Sequence, residues 1–154
     1  VNYLDKVISE YISTALATPN LNVNISQALS SYYLMLVDIE RISDYAVNMN
    51  HQATKRLQGD MTISEIEIVE HMEKLCVDMK NDLSDVEEAE RKDDVIDSLV
   101  SSWREAQIQA LKQQKCSSEV SMMLSRIFTD FERINDHALN VSQEFDKINI
   151  EIPE

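Results

Sequence analysis

The sequence predicts an all-α chain of about five long helices, and three observations carry that prediction. The 154 residues include one glycine and two prolines, too few breakers for a β-architecture that turns every 8–12 residues or so. Apolar residues recur at alternating spacings of three and four over long stretches, the signature of a helix with one buried stripe. The phrase DIERISDYAVN at 38–48 returns as DFERINDHALN at 130–140, an offset of 92 residues with seven of the eleven positions identical.

The first element is YLDKVISEY at 3–11, which the offset lays on VIDSLVSSW at 95–103, so that Leu4 meets Ile96, Asp5 meets Asp97, Val7 meets Leu99 and Tyr11 meets Trp103. A second helix carries Ala28, Tyr32, Met35, Ile39, Ile42, Ala46, Met49 and Ala53 in its stripe, with Asn24 or Ser26 as the expected cap. Gly59, followed by Asp60, Met61 and Thr62, is expected to end it and open the next. The third helix is read from Ser64 to Glu90, with the seam Val69, Met72, Cys76, Met79, Leu83 and Val86. Thr62 with Glu65, or Ser64 with Glu67, has the spacing of a capping box. A fourth helix is read from Asp93 to Gln114, and KQQKCSS links it to the last. That last helix has the clearest stripe: Val120, Leu124, Ile127, Phe131, Ile134, Ala138, Val141, Phe145 and Ile148, capped by Ser117 or Ser118.

The offset divides the chain into two copies of one unit, residues 1–59 and residues 60–154. The second copy has three helices. The first shows only the last two, because its first helix would precede Val1. The expectation is a piece of a longer polypeptide, or one lacking a helix that something else supplies. An open apolar groove is costly, since each large side chain buried is worth about 1.5–3 kcal/mol. The groove is therefore expected to be filled by a neighbouring copy in a homo-oligomer or by the seam of the second unit, with five helices in one elongated bundle as a further packing.

A net charge of −14 repels phosphate backbones and anionic lipid, which argues against nucleic-acid binding and suits cations or basic partners. No apolar run reaches the 18 or more residues of a membrane span, and no cationic, apolar leader opens the sequence. Cys76 and Cys116 form neither a CxxC nor part of a Cys/His cluster, so reduced thiols and a cytoplasmic location are expected. The glycine count rules out a phosphate-binding loop. The residues at i−3 from His51, His71 and His137 are Asn48, Ile68 and Ile134, so the Glu-x-x-His pairs of a ferritin-like di-iron site are absent. No nucleophile–His–acid spacing stands out, and the chain is read as non-enzymatic.

The repeated phrase holds the candidate chemistry. Residues four apart on a helix share a face, their Cβ atoms about 5–6 Å apart. Glu40 with Asp44, Glu132 with Asp136, and Asp78 with Asp82 are such pairs. Their mutual repulsion would be reversed by a bound cation, and carboxylate oxygens suit Mg²⁺, Ca²⁺, Mn²⁺ or iron. The plainer reading is a solvated face, because Arg41 lies three residues from Asp38 and Asp44, and Arg133 three residues from Asp130 and Asp136. Both readings remain open on the residues alone.

The two phrases resemble the DLERIGDHA-N motif that closes each half of PhoU proteins, bacterial regulators of phosphate transport built from two three-helix bundles. The resemblance covers essentially the whole chain, since the offset of 92 matches that family's duplication. It implies a PhoU-like pair of antiparallel bundles, lacking the first helix of the first repeat. It further implies metal clusters held by E(D)xxxD motifs: Asp38, Glu40 and Asp44 in one copy, Asp130, Glu132 and Asp136 in the other, with Asp78 and Asp82 matching less closely. The motif's glycine is Ser43 and Asn135 here, and its histidine is Tyr45 in the first copy. The partners implied are a phosphate importer with its sensor kinase, or the membrane domain of a sodium–phosphate cotransporter with this chain on the cytosolic side. The implied function is regulation of phosphate transport through protein contacts. The alternatives are a helical scaffold whose acidic surface serves solubility, and a hydrolytic metalloenzyme.

Overall fold

The computed structural model describes residues 1–56, 63–81 and 83–151. They form five helices: α1 (Asn2–Leu16), α2 (Val23–Arg56), α3 (Ile63–Asn81), α4 (Val86–Lys112) and α5 (Ser118–Glu151). Among the described residues there is no strand. The all-α expectation holds.

The long final helix is the axle of the molecule. Its stripe is buried from Val120 through Ile148, except for Phe145. Ser117 caps it, its hydroxyl accepting from the Val120 amide at 3.2 Å. On one side α4 runs antiparallel to it, with Arg104 against Glu132 and Glu90 against Gln143. The α3 helix lies over both, its His71 ring edge-on to Trp103 of α4. On the other side α2 runs antiparallel to α5: Ser31 meets Glu144, while Asp38 meets His137. Among the described residues α1 packs on α2 alone.

The main core draws Val69, Met72 and Met79 from α3, Ile96 and Val100 from α4, and seven residues of α5 from Val120 to Ala138. Ile42, Tyr45 and Met49 of α2 close its edge. Residues of α2 thus share the core built by α3, α4 and α5. Tyr45 and His137 are counterparts in the repeat, and their rings stack on one another at 5.8 Å. Contact between counterparts is what a local two-fold axis produces.

Four boundaries differ from the sequence reading. Asn22, not Asn24 or Ser26, caps α2, its side-chain oxygen accepting from the Asn24 amide at 2.8 Å. The expected helix from Ser64 to Glu90 is two elements. Asp85 adopts an extended backbone and accepts from the Glu88 amide at 3.1 Å, which starts α4 at Val86 rather than Asp93. The seam spacing of Met79, Leu83 and Val86 runs straight through that turn, so periodicity could not reveal it. At its far end α4 closes two residues before the expected Gln114, where Gln114 takes a left-handed φ of 58° and the Lys115 amide reaches back to the Ala110 carbonyl. The expected turn around Gly59, and the capping boxes involving Thr62 and Ser64, lie outside the described residues and side chains. Phe128, fully buried and stacked on Trp103, was not in the predicted stripe.

Candidate functional site

Antiparallel packing of α4 on α5 places two i,i+4 acidic pairs side by side. From α5 come Glu132 and Asp136; from α4 come Asp93 and Asp97. Asn135, almost fully buried, donates its amide to the Asp93 carboxylate. That bond accounts for an asparagine where the motif has glycine, since the side chain ties the two helices together.

The cluster is electrostatically strained. Partial burial pushes the Asp93 carboxyl up, and Asp97, Asp136 and Asp94 push it further against the pull of Asn135. Burial also raises Asp97, followed by the charges of Asp136, Glu132 and Asp94. Two arginines relieve the α5 side. Arg104 of α4 donates to Glu132 at 2.6 Å and to Thr129 at 3.1 Å, with its guanidinium over the Phe128 ring. Arg133 reaches Asp136 at 3.3 Å along its own helix.

The donor chemistry fits a hard cation, which would neutralise the very charges that repel. The side chains as placed do not converge on one point: among the described residues no group of three or more His, Cys, Asp or Glu is arranged to hold an ion. A cation bound here competes with Arg104 for Glu132 and with Arg133 for Asp136.

The first copy of the phrase is placed differently. Asp38 turns into the α2/α5 interface, 2.7 Å from His137 Nδ1 and 3.5 Å from the Asn140 amide nitrogen. His137 is thereby an interhelical contact. Glu40 is half-exposed and Asp44 exposed. Asp130 is half-buried, its carboxyl raised by burial and partly restored by Arg126. Asp78 lies on α3, where its backbone carbonyl accepts from Lys92 at 3.4 Å. Asp82 lies outside the described residues. Sequence reasoning missed Asp93 and Asp97, although Asp97 had been aligned with Asp5 and the DxxxD spacing of 93 and 97 matches that of 78 and 82.

Away from the acidic face, α2 and α3 flank an apolar cleft of about 580 Å³ floored by α5. Cys76 lines it, its thiol pushed up to about 11 by burial and then by Glu73, which leaves it protonated and unreactive. Both cysteines are free.

The described residues form a helical-bundle domain with acidic helix faces. A profile of the PhoU domain matches residues 63–145, from the first residue of α3 into the last turns of α5. The chain belongs to the PhoU family, a family of helical regulatory domains associated with phosphate transport. No curated protein and no solved structure matches the chain. Among the described residues no helix is long and apolar enough to cross a membrane.

Proposed function

We propose that this chain is a non-catalytic regulatory domain in phosphate homeostasis, working through protein contacts and tuned by a divalent cation or iron on the α4/α5 acidic face. The observation that carries the cation is the gathering of Asp93, Asp97, Glu132 and Asp136 from two antiparallel helices, with Asp93 and Asp97 both raised by burial and then by the neighbouring carboxylates. Its partner is a membrane phosphate transporter on the cytosolic side. The sodium–phosphate cotransporter is the preferred setting, and the family's association with phosphate transport supports the general assignment. Residues 1–59 and 60–154 are read as the two repeats of that domain.

Equilibrium dialysis of chelator-treated protein against Mn²⁺ tests this. Binding of Mn²⁺ that is lost on replacing Glu132 and Asp136 together by alanine supports the reading. Retention of full binding by that variant contradicts it.

A second reading is a structural scaffold with a solvated acidic surface. The Arg104–Glu132 and Arg133–Asp136 ion pairs favour it, because they already satisfy both α5 carboxylates. Absence of Mn²⁺ binding, with no thermal shift on adding Mn²⁺, Ca²⁺ or iron, would select it.

A further inference from the structure

Among the described residues α2 and α3 each pack on α5 but not on one another. The gap between them is the apolar cleft. Its volume, about 580 Å³, falls within the range of about 300–1,000 Å³ typical of small-molecule sites. Its floor is α5 from buried Ile127 to buried Ala138, about 16 Å of helix. Ile42 and Ala46 stand on the α2 wall, Cys76 and Met79 on the α3 wall.

The two ends of the cleft differ. The α2 helix runs antiparallel to α5 with Asp38 beside His137, so Ile39 lies at the Ala138 end and Asn50 at the Ile127 end. Leu83 of α3 also lies beside Ala138. His71 meets Trp103, which stacks on Phe128, so Glu73 lies towards the Ile127 end with Asn50. One end is hydrocarbon alone; the other carries a carboxylate and a carboxamide, both on exposed residues. Glu73 is the one ionised side chain on the described lining. Its charge reaches the interior, where it adds to burial in holding the proton of the Cys76 thiol. The cleft is thus apolar along its length and negative at one end.

We infer that this cleft binds a linear aliphatic amine, its chain laid along α5 and its ammonium beside Glu73 and Asn50. Charge complementarity selects that occupant. A fatty acid or phospholipid brings an anionic head to a chain of net charge −14 and meets Glu73 besides. An uncharged aliphatic ligand gains the same burial but nothing from the carboxylate. The cleft is separate from the acidic α4/α5 face, since neither Glu132 nor Asp136 lines it, and it stands or falls independently of the cation reading.

Methyl NMR of the intact chain titrated with dodecylamine tests the inference, with dodecanoate and dodecanol as comparisons. Dodecylamine should give saturable shifts at the methyls of Ile42, Met79, Ile127 and Ile134. Ala46→Trp fills the cleft from an exposed position on α2; it should abolish those shifts and leave the thermal melt unchanged. Glu73→Gln, also at an exposed position, should weaken the amine about three- to five-fold and leave dodecanol unaffected. Dodecanoate should bind about ten-fold more weakly than the amine. Absence of saturable shifts below the micelle concentration overturns the inference. So does equal affinity for dodecanoate, or full affinity for the amine in Glu73→Gln. Shifts that survive Ala46→Trp, or that centre on the α4/α5 acids, mean attraction to surface charge alone and also overturn it. Concentration-dependent shifts of the same methyls without ligand overturn it in favour of a second copy.

Discussion

The α2 and α5 helices carry the same phrase, yet the surroundings of that phrase are opposite. In α5 it is the hub: Phe131 and Ile134 are in the core, while Glu132 and Asp136 face the acids of α4. In α2 it is a strut: Ile39 is half-exposed, and Asp38 is sewn to His137 of the other copy. The neighbouring helices explain the contrast. At the repeat positions of Asp93, Asp97 and Arg104 stand Val1, Asp5 and Ile12. A matched phrase therefore gives matched local chemistry, while the helix laid beside it decides whether those carboxylates meet others.

The largest test of this contrast is a pair of core truncations. Phe131→Ala removes a fully buried ring and should lower unfolding free energy by about 3–5 kcal/mol. Ile39→Ala, at the matching position, should change it by under about 1 kcal/mol. Urea melts of the two variants check the difference; equal losses would mean that the two copies bury their stripes alike.

A smaller effect separates the first aspartates of the phrases. Asp38→Ala leaves His137, mostly buried against α2, without its carboxylate partner, and should destabilise by about 1–3 kcal/mol. Asp130→Ala should be near neutral, because burial already disfavours the ionised form of that carboxylate. Thermal melts at neutral pH read both.

The smallest effect is a pH dependence. Asp93 and Asp97 bind their protons more tightly in the folded chain than in the unfolded one. Their contribution to stability is therefore fully present below the ordinary aspartate value of 3.8 and is lost as pH rises through the raised folded value. Glu144 has the opposite sign. Burial pushes it up, but bonds from Lys147 and Ser31 bring it below its ordinary value, so its contribution appears above that value and is lost as pH falls through the lowered one. In cation-free buffer, Asp97→Asn should raise stability at pH 7 by about 0.2–0.5 kcal/mol and flatten the part of the profile that favours low pH. A steeper profile would place the repulsion elsewhere.

The helices were legible in the sequence because the stripes of α2 and α5 repeat at threes and fours over many turns. The α3/α4 turn was not, since Leu83 and Val86 continue the spacing across it and only the Asp85 cap marks the break. Half of the acidic cluster was legible: Glu132 and Asp136 stood out by duplication. Asp93 and Asp97 did not, because the phrase that contains them has no second copy at 93 and becomes relevant only once α4 folds back on α5. The Asp38–His137 bond spans 99 residues, and nothing in the local spacing of either residue announces it.

The proposed cation site is assigned to the second copy and not the first. Paramagnetic broadening of amide signals by substoichiometric Mn²⁺ tests it most directly. Signals around Asp93–Asp97 and Glu132–Asp136 should disappear first while those around Glu40 and Asp44 stay sharp. Broadening centred on Glu40 and Asp44, or equal at both phrases, would contradict it.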